Sequence, residues 1–169
     1  MSHCADVTLR DAVPADAEAI FRVHISAIRD VASSHYSAGQ IEAWAGRLSP
    51  GLYRSPIHDK VLLLATDAAH VCGFGQLDPQ AAVIEAVYVL PSHLRRGIGR
   101  RLLSALEAAA WDEHLAELTL DASLNSVQFY ERAGYTCIRR ANHEVGAGMF
   151  IPCVVMAKQL ERLPPSRSR

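Results

Sequence analysis

Residues 82–103 read Ala-Val-Ile-Glu-Ala-Val-Tyr-Val-Leu-Pro-Ser-His-Leu-Arg-Arg-Gly-Ile-Gly-Arg-Arg-Leu-Leu. The run Ala82 to Leu90 is apolar and rich in β-branched residues, as a strand is. Pro91 marks a turn. Gly97-Ile98-Gly99 then opens a run that sets Leu102, Leu103, Leu106, Ala109 and Ala110 on one helical face. Arg95, Arg96, Arg100 and Arg101 crowd the helix start. That end already carries partial positive charge and free N–H groups, so cations there repel it unless an anion is shared among them. The segment is built to hold phosphate, and more than one. It is not a dinucleotide fingerprint, which needs a third glycine where Leu102 stands, nor a P-loop, since no Gly-Lys-Ser/Thr is present.

Outward from this unit, Val7 to Arg10 reads as a first strand, and Pro14 fits the first turn of a helix whose apolar face holds Ala17, Ile20, Phe21, His24 and Ile28. Ser37-Ala-Gly-Gln40 is a capping-box pattern for a second helix to about Leu48, broken by Ser49-Pro50-Gly51. Lys60 to Thr66 and Val71 to Leu77 are apolar runs joined by Asp67-Ala-Ala-His70, a hairpin. Downstream, Glu117 to Asp121 is a short strand. Asn125 to Ala133 is a helix ended by Gly134. Tyr135 to Arg140 and Met149 to Met156 are the last strands. The order β-α-α-β-β-β-α-β-α-β-β predicts an α/β (α+β) fold with a mixed central sheet of about seven strands flanked by about four helices.

The chain has 169 residues, half of them hydrophobic, which suits one domain with a sizeable core. The formal net charge of -1 gives no global pull towards nucleic acid or an anionic membrane. No apolar run approaches the roughly 18–20 residues of a membrane span, and the N-terminus lacks a signal-peptide pattern. Cys4, Cys72, Cys137 and Cys153 are widely spaced and form no Cys-x-x-Cys pair. That pattern points to reduced thiols in a cytoplasmic protein and to no metal site.

The combined pattern resembles the GNAT superfamily of acyl-CoA-dependent N-acetyltransferases. Leu94-Arg95-Arg96-Gly97-Ile98-Gly99 is similar to its Gln/Arg-x-x-Gly-x-Gly/Ala cofactor motif, with Leu94 where Gln or Arg is usual. Asn125-Ser-Val-Gln-Phe-Tyr130-Glu-Arg-Ala-Gly134-Tyr135 resembles its second signature, Asn-x-x-x-x-Tyr-x-x-x-Gly-Phe/Tyr. A lone Gly-x-Gly is weak. The two motifs in order, separated by a helix and a strand, are strong. The resemblance runs from the first strand to about Lys158 and predicts one N-acetyltransferase domain over 1–160, followed by a basic, frayed tail at 161–169.

The resemblance implies acetyl-CoA as cosubstrate, an amine acceptor, and direct transfer in a ternary complex without an acyl-enzyme. Arg95, Arg96, Gly97, Ile98, Gly99 and Arg100 would hold the pyrophosphate. The pantetheine arm would pair with the backbone of Val87, Tyr88 and Val89, as an added strand does. The Val89 N–H would polarise the thioester carbonyl. Tyr130 matches the tyrosine that protonates the leaving thiolate. A phenol is protonated at neutral pH and can donate; the plain alternative is a packing aromatic. Asn125 suits both a bond to the cofactor arm and an N-cap.

The base is less legible. Strand alternation puts Glu85 on the face of Val83, Val87 and Val89, where partial burial would raise its pKa to a useful range. The alternative is a surface carboxylate that binds the acceptor's cation. His143 and His35 lie in regions that flank the acceptor pocket in this superfamily, and Tyr36 and Trp44 could wall it. Cys153, mid-strand, reads as a buried inert thiol rather than a nucleophile. Arg29, His35, Tyr36, Trp44 and His143 together decode to no particular amine. A catalytically silent acyl-CoA sensor is the competing reading, and a homodimer stays open.

Overall fold

The computed structural model describes residues 7–146 and 148–160. Cys4 and the basic tail at 161–169 lie outside the described residues. The strands are β1 (Thr8–Asp11), β2 (Val61–Asp67), β3 (His70–Asp78), β4 (Val83–Val89), β5 (Glu117–Ser123), β6 (Thr136–Gly146) and β7 (Met149–Gln159). The helices are α1 (Ala17–Asp30), α2 (Ala38–Gly46), α3 (Arg54–Asp59), α4 (Ile98–Asp112) and α5 (Val127–Arg132). The short α3 is one helix more than the sequence pattern implies. It follows a 3₁₀ turn started by Pro50 and contains Pro56, so its sequence reads as a break.

The strands form a single sheet in the order β1-β2-β3-β4-β5-β7-β6. All neighbours are antiparallel except β4 and β5. Alternation along β3 separates the two faces. Phe74 joins Ile20 and Val23 of α1 in one cluster. On the opposite face Gly73 and Gly75 lie under α4. A Cβ on Gly73 would stand 3.2 Å from Leu102 Cδ1 and 3.0 Å from the Tyr88 carbonyl oxygen; one on Gly75 would stand 2.8 Å from Leu106 Cδ1. The glycines let α4 sit close on the sheet, which seats its leucine face and fixes where its first turn points. Leu102, Leu103 and Leu106 are fully buried, each worth about 1.5–3 kcal/mol of transfer free energy.

The β2–β3 hairpin forms as expected, with Ala68 and Ala69 both left-handed at φ 47° and 70°. The capping box at Ser37 and Gln40 also forms. Gly134 takes the left-handed position after α5, with φ 93°.

In β4 the alternation breaks. Gln76 faces Ala86 and Leu77 faces Ile84, so Glu85 is an extra residue between them, a β-bulge. This overturns the expected placement of Glu85. Its carboxylate turns to Lys60 and Gln76. Val89 packs with Ile98 and Leu102 of α4, and Val87 packs against the same cluster.

Candidate functional site

β4 and β5 share one ladder pair, Val83 with Thr119. Beyond it the strands part. The Leu90 N–H donates to the Cys72 carbonyl at 2.8 Å, so strand alternation turns the Val87 and Val89 amides away from β3, into the split. A cavity of about 840 Å³ fills this opening, and its walls include Glu85, Val87, Tyr88, Val89, Arg95, Gly97, Ile98, Gly99, Arg100, Asn125 and Tyr130. Residues drawn from two separate motifs thus converge on one space.

The α4 start forms one end of the cleft. Gly97 is the N-cap, left-handed at φ 75° and ψ 4°, and a Cβ there would meet nothing within 4 Å. The first intrahelical bond runs from the Arg101 N–H to the Gly97 carbonyl. The earlier amides are left for a ligand, beside open space. Arg95 is also left-handed, at φ 61°, a strained setting for a side chain that lines the cleft.

The other arginines are divided. Arg100 lines the cleft and donates to the Arg132 carbonyl at 3.1 Å. Arg101 donates to the Val7 carbonyl, away from the cleft. Arg96 turns to Asp67 at 3.2 Å and does not line the cleft. Asp67 also receives His93 Nε2 at 3.2 Å, and His93 Nδ1 lies 2.8 Å from Ser92 Oγ. Asp67 therefore pins the loop that Leu94, itself at the cleft wall, has no polar group to hold. Asp67 and His93 carry no motif. Their adjacency comes from the β2–β3 hairpin folding back on the loop.

Tyr130 and Asn125 come from the β5–α5 segment. Tyr130 is 7 % exposed and packs edge-on against Phe129 and Tyr135. Burial pushes its phenol well above the ordinary value, which keeps the proton on oxygen. The N-cap of α5 is Ser126, not Asn125. Asn125 Oδ1 is instead buried at the cleft wall without a hydrogen-bond partner among the described residues. A buried acceptor without a donor calls for one from a ligand. An adjoining cavity of about 350 Å³ is lined by Arg100, Asn125, Gln128, Phe129 and Arg132.

The opposite end is shaped by α1, α2 and the β6–β7 pair. Trp44, His143 and Cys153 line it, as do His24 and Arg47, which the sequence did not single out. His143 Nδ1 stands 3.8 Å from Asp121 Oδ2. Burial pushes the Cys153 thiol up, which suits an inert group. His35 is exposed, with Nδ1 2.8 Å from Ser34 Oγ, and is not at the cleft. Nor is Arg29, which pairs with Glu42 at 3.1 Å. Tyr36 does not wall the cleft either. Its hydroxyl donates to the Pro152 carbonyl at 2.9 Å and accepts from the Leu124 N–H at 2.8 Å. Glu85 lines the cleft but is exposed rather than half-buried, because the bulge turns it to Lys60 at 2.6 Å.

A split sheet with a helix N-terminus at its mouth is the architecture of an acyl-CoA-dependent transferase. The family model described as an acetyltransferase (GNAT) domain matches residues 32–160, and the chain belongs to that family, the acetyl-CoA-dependent acyltransferases. The chain is 28 % identical over 145 residues to the uncharacterized N-acetyltransferase YafP of Escherichia coli (strain K12), covering 86 % of this chain and 91 % of that one. Its fold matches the crystal structure of a GCN5-related N-acetyltransferase from Rhodopseudomonas palustris, described as an aminotransferase, class II. The TM-score is 0.86 at 28 % identity, over 95 % of this chain and 99 % of the other. It also matches the PaiA N-acetyltransferase of Thermoplasma acidophilum in complex with coenzyme A. There the TM-score is 0.75 at 21 % identity, over 91 % and 99 % of the chains. No helix among the described residues is long and apolar enough to cross a membrane. No group of His, Cys, Asp and Glu among them could hold a metal ion.

Proposed function

We propose that the protein transfers the acetyl group of acetyl-CoA to a primary amine by direct attack in a ternary complex. The observation that carries this reading is the split between β4 and β5, where unpaired strand amides, the α4 N-terminus and the Tyr130 phenol face one cavity. The PaiA neighbour, of the same fold and described in complex with coenzyme A, supports a CoA species as the ligand.

In this reading the amides at Gly97, Ile98 and Gly99, with Arg95 and Arg100, hold the pyrophosphate. Arg96 acts one step back, by holding the loop on Asp67. The amides and carbonyls along Val87, Tyr88 and Val89 pair with the pantetheine arm, and Asn125 Oδ1 accepts from one of its amides. The Val89 N–H polarises the thioester carbonyl. Glu85 receives the ammonium and takes its proton, directly or through water; His143 beside Asp121 is the second group that end of the cleft offers. The amine nitrogen forms the bond to the carbonyl carbon and the carbon–sulfur bond breaks. The thiolate leaves with the Tyr130 proton, and the remaining surplus proton on the new amide nitrogen restores the phenol. The products are the amide, free CoA and one net proton. The free thiols at Cys72, Cys137 and Cys153 are consistent with a cytoplasmic setting, which is part of the same reading. A homodimer is compatible with it and not required by it.

The test begins with thermal melts in acetyl-CoA, CoA, NAD and ATP. A ligand at 100 times its Kd adds about 2.7 kcal/mol, and only the CoA species should do so. Tyr130→Phe should then lower kcat by about 10²-fold or more, read as free-CoA release, with the melt shift kept. A melt shift without turnover on any amine would favour the silent sensor.

A further inference from the structure

The acceptor end of the cleft is electrically two-ended. Lys60 Nζ lies 2.9 Å from Asp78 and 2.6 Å from Glu85, so one cation stands against two carboxylates. That leaves the Glu85 side with a surplus negative charge. At the α2 end, Arg47 Nη1 donates to the Glu144 carbonyl at 2.6 Å, and Arg47 forms no ion pair among the described residues. Its stem is pressed on Gly146, where a Cβ would stand 3.0 Å from Arg47 Cγ. The guanidinium is therefore held in place with its charge unspent.

Between the poles the wall is apolar: Ile28, Val31, Trp44, Leu48 and Leu52 line the cleft. The polar groups beside it include the Asp121–His143 pair described above and His24, whose Nε2 is buried and has no hydrogen-bond partner among the described residues. Its Nδ1 is 2.9 Å from Tyr53 Oη. The Tyr53 proton has no other acceptor among the described residues, so the phenol donates to Nδ1 and the ring proton sits on Nε2. A polycation would meet Arg47 and an apolar wall. A plain alkylamine would leave Arg47 and His24 without partners.

We propose, on the acetyltransferase reading above, that the acceptor is an amphoteric amine. Its ammonium faces the Glu85 pole, its apolar body lies along the α1–α2 wall, and its carboxylate pairs with Arg47. The class is an ω-amino acid, whose apolar chain separates the ammonium from the carboxylate.

The experiment compares kcat/KM for matched pairs with and without the carboxylate: 5-aminopentanoate and pentylamine, 6-aminohexanoate and hexylamine, 8-aminooctanoate and octylamine. Spermidine is the polycation control. At least one carboxylated member should exceed its partner about tenfold or more, through KM. Arg47→Gln should bring that pair to within about twofold, and Arg47→Lys should keep part of the preference. The wild-type ratios stand as a test even if a variant fails to fold. Amines that match or exceed all their carboxylated partners, or spermidine as the best substrate, would overturn the inference and leave the acetyltransferase reading intact. So would no turnover of any member while acetyl-CoA still shifts the melt. Loss of the melt shift itself would instead remove the reading on which it rests.

Discussion

His24 sits on α1 with its ring centroid 4.1 Å from that of Tyr88 and 5.4 Å from that of Phe74. Burial pulls its imidazole from 6.5 down to about 3. The unfolded chain takes up a proton near pH 6.5 that the folded chain refuses until about pH 3. The stability contributed is therefore full above about pH 6.5 and is lost as pH falls towards 3, at about 1.4 kcal/mol per pH unit. Urea unfolding at several pH values between about 7 and 5 should show a shallower fall for His24→Gln than for the parent; equal slopes would mean that the ring is not held neutral. Nothing local in the sequence separates this histidine from an ordinary helix-face residue. The same holds for Glu85, whose direction was misread because a bulge opposite Gln76 is invisible in an apolar run. Gly97, Gly99, Asn125 and Tyr130 were legible because each belongs to a spaced motif. Arg47 and Asp67 were not, since their partners arrive from Glu144 and His93, far along the chain.

At the scale of elements, the sheet, its hairpins and four of the five helices follow from period and punctuation. The packing of α4 on β3 does not, because Gly73 and Gly75 read as weak spots in a strand until the helix above them is known. Gly73→Ala would push a methyl towards the Tyr88 carbonyl, Leu102 and Ile98. It should cost about 1–3 kcal/mol by urea unfolding. It should also weaken acetyl-CoA binding, because Ile98 belongs to the first turn of α4. A variant that loses stability but binds acetyl-CoA as before would show that the helix start is held by the loop alone.

Across the whole molecule, the two halves of the sheet are joined at β4 and β5 by little more than Val83 and Thr119. The amides of Val87 and Val89 face the gap, so they should exchange with solvent quickly in the free protein. On addition of CoA they should slow by about tenfold or more, while the amides of Tyr88 and Leu90, bonded to β3, change little. Unchanged exchange at Val87 and Val89 would exclude strand-like pairing of the pantetheine arm. Mixed pairing was foreseeable from the element order, but the shortness of the β4–β5 ladder was not, since it depends on how two distant strands diverge.

The bridge made by Tyr36 has a consequence for engineering. This one hydroxyl, from the connection between α1 and α2, fastens β7 at Pro152 and the chain at Leu124, next to Asn125. On the proposed reading, the segment that shapes the amine end is thus bolted to the segment that holds the thioester arm. Grafting the α1–α2 segment from another acetyltransferase to change the acceptor would also re-aim Asn125, unless the tyrosine travels with the graft.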